Sequence, residues 1–225
     1  MSIINTISGL VSRRAGLTLL LCMALSALAL TAIIDPTTGS MRLNIDPSAN
    51  RLFSENMAAK QFYDKTRQLF GSDETLIITF ASDDVFAADT MDPIGRITGR
   101  IENIDAVHHV LSLANAVDIR SNDGGLDISP FSTGLEDGSA TREEIKARVL
   151  ANPLYAGNLV STGADATALV VYFHDISDRE YINGGIHEEI TRIVTEEQGD
   201  NEVFMTGSPY FKFAMVDLLV DDLIW

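Results

Sequence analysis

The sequence contains little cysteine, few basic residues and little proline, and these shortages exclude certain classes of protein and of site. One cysteine, Cys22, cannot form an internal disulfide or a cysteine-rich zinc site, so packing alone must hold the fold together. The 16 Lys and Arg stand against 32 Asp and Glu, and the net charge of −16 argues against nucleic acid as a partner. With 16 Gly, 6 Pro and 46% hydrophobic residues, the chain is not low-complexity and can build a core.

The charges are placed unevenly along the chain. The first 34 residues contain Arg13 and Arg14 but no acidic residue, so every Asp and Glu follows residue 34. Residues 15–34 are uncharged, and a helix of that length covers about 30 Å, the thickness of bilayer hydrocarbon. By the positive-inside rule, the two arginines predict a cytoplasmic N-terminus (1–14), a transmembrane helix (15–34) and an exported remainder.

A cleaved signal peptide is the alternative for the same segment. The triplet Ala27-Leu28-Ala29 has the small-x-small form that a signal peptidase accepts after an apolar stretch. The apolar run continues past this triplet as far as Ile34, which favours a retained span. Cleavage would instead release a secreted binding protein whose new N-terminus lies near Leu30.

Beyond the span, hydrophobic periodicity predicts alternating helices and strands. Apolar residues three or four apart predict helices, and short β-branched runs between turn signals predict strands. The predicted strands cover residues 75–80, 107–113, 167–173 and 202–206. The predicted long helices cover residues 55–70, 89–103 and 177–198. Between the second and third strands, the sequence predicts a hairpin turning at 122–125 and a short helix that Thr141 and Glu144 open as a capping box.

The order of these elements predicts the fold class. It runs β-α-β, insertion, β-α-β, and the insertion holds the hairpin and the short helix. We expect an α+β fold in which residues 35–209 form a ferredoxin-like split βαβ (βαββαβ) domain, with helices on one face of a four-stranded sheet.

The last segment, residues 210–225, begins as an amphipathic helix and ends on an apolar stretch. Apolar residues there would be exposed unless they meet a membrane or a partner, and Trp is enriched at the bilayer interface. The segment therefore predicts the start of a second transmembrane helix, truncated at residue 225. Asp217, Asp221 and Asp222 would lie at its membrane entry, either solvated there or forming the rim of a substrate path.

None of the motifs considered predicts catalysis or metal binding. His108 and His109 would point to opposite faces of a strand, so they could not share one metal. The stretch His187-Glu-Glu-Ile-Thr191 lacks the second histidine of HExxH, and Ser208 does not lie in a GxSxG elbow. We expect no catalytic, cofactor-binding or metal-binding residue, no cofactor and no enzymatic activity, and we assign no substrate-binding residue.

Several short sequence motifs resemble, in their order and spacing, those of a known protein family. They are Leu43-Asn-Ile-Asp46, Gln68-Leu-Phe-Gly-Ser-Asp-Glu74, Asp84-Val-Phe86, Val107-His-His-Val-Leu-Ser-Leu113, Asn152-Pro-Leu-Tyr-Ala-Gly-Asn-Leu-Val-Ser161 and Gly207-Ser-Pro209. Together with the N-terminal span, they make the chain resemble exporters of the resistance-nodulation-division (RND) superfamily, in particular the branch of MMPL-type and hopanoid or lipid exporters.

The resemblance implies a proton-driven permease of about twelve spans in the bacterial inner membrane, with a periplasmic porter domain in each half. This chain would be the N-terminal piece, and its partners would be the membrane, a lipid or other hydrophobic substrate, and the rest of the permease. The family's proton-relay residues lie in later spans, so none is carried over to this chain. The alternative is an extracytoplasmic ligand-sensing domain of a membrane-anchored receptor.

Overall fold

The structure is a computed structural model that describes residues 14–33, 57–70, 72, 74–122 and 125–224. The chain divides into two compact units, Met1–Ile45 and Asp46–Trp225.

The first unit contains helix α1, Ala15–Ile33, which is apolar on every side. Its residues are almost all exposed, and Ala15–Ala32 has a mean hydropathy of 2.1 without a charged residue. The hydroxyl of Thr31 donates to the Leu28 carbonyl at 2.7 Å, so this polar group is satisfied by the helix's own backbone. The predicted N-terminal apolar helix is therefore confirmed, and among the described residues it is the one helix long and apolar enough to cross a membrane.

The second unit alternates helices and strands. In chain order they are α2 (Ala58–Phe70), β1 (Thr75–Ala81), α3 (Ala88–Glu102), β2 (Val107–Leu111), β3 (Val117–Asn122), β4 (Gly125–Pro130), α4 (Thr133–Glu136), α5 (Arg142–Ala151), β5 (Ala166–Phe173), α6 (Asp178–Asn183), α7 (Ile186–Glu197), β6 (Glu202–Gly207) and α8 (Ser208–Ile224). The predicted strands and the predicted hairpin are present, and the α+β class is confirmed.

The main sheet has four strands in the order β2-β5-β1-β6, and every neighbouring pair is antiparallel. Every second residue of β1 and β5 is buried, which is the period-two pattern of a strand with one face on a core. Ile78 lies at the centre, with Leu169 on one side and Met205 on the other.

The first core lies between this sheet and helices α3 and α7. It joins the buried strand residues Leu76, Ile78, Phe80, Val107, Val110, Leu169, Val171 and Phe173 to the helix residues Ile94, Ile97, Ile101, Ile190, Ile193 and Val194. Each fully buried side chain of this kind contributes roughly 1.5–3 kcal/mol relative to exposure, so this cluster contributes strongly to stability.

The insertion has a second core of its own. Phe131, Ile145, Val149, Leu159 and Val160 are buried together with residues of the loop after β1. The insertion is therefore packed against the loop after β1 through a shared apolar cluster.

The helix predicted over 177–198 is wrong in one respect, because the structure forms two helices, α6 and α7. A Cβ atom on Gly184 would overlap the Glu180 carbonyl oxygen, and Gly185 has φ +74°, a left-handed conformation. The glycine pair therefore ends α6 and begins α7 in a new direction.

The pair His108 and His109 departs from the regular alternation expected of β2, since both side chains are exposed. The pairing of β2 with β5 shifts between Val107 and His109, and this irregularity breaks the alternation that a regular strand would impose.

Candidate functional site at the start of helix α8

Strand β6 ends at Gly207 and helix α8 begins at Ser208, so no loop separates the two elements. Gly207 has φ +119°, and a Cβ atom on it would overlap the carbonyl oxygen of Thr75 in β1. Only glycine fits this close approach of two backbones. The start of α8 is therefore fixed directly to the central strand of the main sheet.

An ion cluster ties α8 to two other elements. The ammonium of Lys212 donates to the carboxylate of Glu74, just before β1, and to Oδ1 of Asp178, at the start of α6, at 2.7 Å. All three side chains are largely shielded from solvent. Two carboxylates around one ammonium leave a net negative charge, and the shielding strengthens the attraction relative to an exposed pair.

A second ion pair involves the loop just before Asp178. Arg67 of α2 contacts Asp175 at 2.8 Å, and its guanidinium also donates to Ser72. Helix α2 thus meets the segment between β5 and α6 through charge, whereas its apolar residues Phe62 and Leu69 are exposed.

Aromatic rings surround His187 on the other side of α8. His187 is buried, and its ring stacks on Phe213 with centroids 3.8 Å apart and planes at 27°. Tyr210 and Tyr181 lie at 5.8 and 6.0 Å from the same ring. Tyr210 and Phe213 also pack against the first core, so this contact joins α8 to α6, α7 and the sheet.

The environment disfavours charge on His187. Burial lowers the pKa of its imidazole below the ordinary value of 6.5, and the nearby carboxylates of Glu188 and Asp217 oppose this shift only in part. Burial likewise raises the pKa of the Tyr181 hydroxyl, so it stays protonated at neutral pH. The cluster therefore contains a neutral imidazole next to a neutral phenol.

The outer side of α8 presents apolar side chains. Phe211, Met215, Leu218 and Leu219 are all more than two-fifths exposed. Asp217, Asp221 and Asp222 are also exposed. The start of a second transmembrane helix here stays a prediction; α8 has 17 residues, and the three acidic residues are among them.

Two clefts lie elsewhere on the unit. One, of about 750 Å³, has an acidic lining that includes Asp83, Asp84, Asp89 and Asp200. The other, of about 540 Å³, lies beside Gly95 of α3 and is lined by both charged and apolar residues. Within the described ranges, no three His, Cys, Asp or Glu side chains are grouped so that they could hold a metal.

The remaining residues examined in the sequence do not converge on a site. The ring of His108 lies 5.0 Å from that of His174, while His109 contacts Glu102 at 3.2 Å and faces Tyr172. Ser208 is the first residue of α8, and Cys22 is exposed on α1. The Lys212 cluster has no local signal in the sequence, because its partners Glu74 and Asp178 are distant in the chain. Comparison with protein-family models and with curated proteins gives no match.

Proposed function

We propose that this chain is part of a proton-driven RND-type membrane transporter that exports lipids or other hydrophobic compounds, with residues 35–209 as its exported substrate-passage domain. The observation that carries the proposal is the direct passage of β6 into α8 at Gly207. A transporter must link movement of its substrate domain to its membrane helices, and a junction without a loop supplies such a link.

The strand order supports a ferredoxin-like split βαβ arrangement for this domain. Helix α3 connects β1 to β2, and the α6–α7 segment connects β5 to β6, so each connection joins two strands that are not neighbours in the sheet. Two such interleaved units with antiparallel neighbours are what the split βαβ fold requires.

The open face of the main sheet supports a hydrophobic substrate. Ile77 and Val170 lie opposite each other on the face that alternates with the buried one, and both are only partly buried. Phe204 in β6 pairs with Thr79 and is 59% exposed. An apolar sheet face accessible to solvent is typical of a surface that meets a hydrophobic ligand or another domain.

The proposed topology places α1 in the bacterial inner membrane and the main domain in the periplasm. It can be tested with single cysteines, because Cys22→Ser removes the chain's one cysteine. In that background, Ala151→Cys lies at the exposed end of α5, whereas Ser2→Cys precedes the predicted span. We expect a membrane-impermeant maleimide to label Ala151→Cys in cells with a permeabilised outer membrane, and Ser2→Cys only after lysis. The reverse pattern would place the domain in the cytoplasm and contradict the proposal.

The transport function requires a test in the complete gene. We expect the reading frame beyond Trp225 to encode about eleven further apolar segments of about 18 or more residues. A coiled coil followed by a kinase would instead support the alternative, a ligand-sensing domain of a membrane-anchored receptor. Export of a fluorescent hydrophobic dye from cells then measures activity. Phe204→Asp should reduce export, while Phe62→Asp, a similar change at an exposed site on α2, should not. Equal export by both variants would remove the sheet face from the substrate path.

A further inference from the structure

The hydrogen bonds of His187 depend on its protonation state. Nδ1 lies 3.2 Å from the Tyr181 hydroxyl, and Nε2 lies 3.4 Å from the Thr191 hydroxyl. A neutral imidazole accepts at one nitrogen and donates at the other, so both hydroxyls are served. A protonated ring donates at both nitrogens. The Tyr181 hydroxyl would then have to accept from Nδ1, and its own proton would lose Nδ1 as an acceptor.

The position of His187 in α7 also disfavours a positive charge. It is the second residue of the helix, where unpaired backbone N–H groups create a partial positive charge. Stacking on Phe213 offers some compensation, since a cation is attracted to the face of an aromatic ring.

The elements packed around His187 differ in the charge that they bring near its ring. Helix α6 contributes Tyr181, and α8 contributes Tyr210 and Asp217. Strand β6 contributes Met205, which has no charge and reaches Thr191. On α7 itself, the charged side chains that line one cavity together with His187 are Glu188, Arg192 and Glu196.

A cavity of about 520 Å³ adjoins this contact, lined in part by His187, Thr191, Thr195 and Phe213. The cavity is open to solvent, so a protonated imidazole that leaves Phe213 would meet water on this side. Water can therefore solvate the protonated imidazole once α8 moves away from α7.

We propose that His187 is a proton-sensitive latch, which holds α8 against α6 and α7 when its imidazole is neutral and releases α8 when it is protonated. The physiological part of this inference rests on the proposed function, because an exported domain meets the pH of the surroundings and not that of the cytoplasm. Acid outside the cell would then loosen the link between the substrate domain and α8.

The sign of the pH dependence follows from the lowered pKa of His187. Because its folded-state pKa lies below 6.5, an unfolded or released His187 binds a proton first. The stabilising contribution of the neutral ring is complete above pH 6.5 and is lost as the pH falls through the lower, folded-state pKa.

Pulsed electron paramagnetic resonance on the full chain in detergent micelles can test the latch. Spin labels at Thr195→Cys on α7 and Leu219→Cys on α8, in the Cys22→Ser background, report the separation of the two helices. Both positions are exposed. Between pH 8 and pH 5, we expect the distance distribution to lengthen and broaden with a midpoint below 6.5.

Three histidine variants make the test specific. His187→Phe keeps the ring stack and His187→Gln keeps a hydrogen-bonding side chain, and in both the distance should stay the same over the whole pH range. His174→Phe removes an exposed histidine, and it should change distance as the parent does. A pH-dependent distance that persists in both His187 variants would overturn the latch, as would an unchanged parent distance while NMR shows His187 titrating. Neither result depends on transport or on topology, so failure of the latch is distinct from failure of the proposed function.

Discussion

Gly207 lies so close to Thr75 that a Cβ atom on the glycine would overlap the threonine's carbonyl oxygen. The contact occurs where β6 pairs with β1 and the chain turns into α8. Since Gly207 also has φ +119°, both backbone conformation and space exclude a side chain. This one residue therefore determines how α8 leaves the sheet.

The first prediction is that Gly207→Ala destabilises the chain by about 2–4 kcal/mol, the combined size of backbone strain and overpacking. Gly99→Ala is a suitable control, because Gly99 is a helical glycine of α3 with no atom within 4 Å of an added Cβ. That change should stabilise by about 0.5–1 kcal/mol through helix propensity. Urea unfolding followed by circular dichroism measures both, and similar midpoints for the two variants would show that the chain relaxes at Gly207 without cost.

A second prediction concerns two hydroxyls buried beneath α3. Thr98 donates to the Ile94 carbonyl at 2.7 Å, so Ser112, at 2.8 Å, must be the donor in the bond between the two hydroxyls. Thr98→Val leaves the buried Ser112 proton without this acceptor and should cost about 1–3 kcal/mol.

The control for Thr98→Val is Thr195→Val, because Thr195 donates to its own i−4 carbonyl in the same way but is exposed. We expect a change within about 0.5 kcal/mol there. Adding Ser112→Ala to Thr98→Val should recover part of the loss, and a double-mutant cycle measures the coupling. Strict additivity of the two substitutions would mean that the hydroxyls do not interact.

The strands were predictable from sequence because the alternation of residues within a strand indicates which side chains are buried. In β5, Leu169, Val171 and Phe173 alternate with less buried residues, and this pattern depends only on neighbours in the chain. Gly184-Gly185 was a visible break that the isoleucine periodicity on both sides concealed. Because Ile182, Ile186, Ile190 and Ile193 keep helical spacing across the glycines, one long helix was the natural prediction.

The candidate site was not predictable in the same way. Lys212 meets Glu74 and Asp178, which are far from it in the chain, so only the folded sheet brings the three together. The stacking of His187 on Phe213 likewise depends on the direction in which α8 leaves β6. Local periodicity contains no information on such pairings, whereas the capping box of Thr141 and Glu144 is local and was predicted correctly.

That capping box gives the third prediction. Thr141 accepts from the Glu144 backbone N–H at 3.2 Å, and Thr141→Ala should destabilise by about 1 kcal/mol. The Thr141 backbone N–H and hydroxyl both donate to the Glu144 carboxylate, which lowers its pKa below 4.5. The stability that this carboxylate contributes is therefore present above pH 4.5 and lost as the pH falls through the lower, folded-state pKa.

Glu144→Gln separates the acid dependence of the cap from the cap itself. The amide oxygen of Gln can still accept from Thr141, so the variant should keep most of the stability near neutral pH but lose the decline that Glu144 causes on acidification. Urea midpoints from pH 7 to pH 3 compare the two chains. If the decline is the same in Glu144→Gln, other carboxylates cause it.

The last prediction concerns α1, where Leu25 lies near the middle of the apolar helix and is 57% exposed. Leu25→Arg should cost about 2.5–3.5 kcal/mol for insertion into a bilayer, because the guanidinium must leave water or reach the interface. We expect a smaller fraction of the chain in carbonate-washed membranes, whereas Leu25→Ala should stay there. The mass of the unsubstituted chain from the same membranes distinguishes a retained span from a cleaved signal peptide, since cleavage would leave an N-terminus near Leu30. A soluble product of that mass would show that α1 directs export and is then removed, so that α1 would not anchor the mature chain in the membrane.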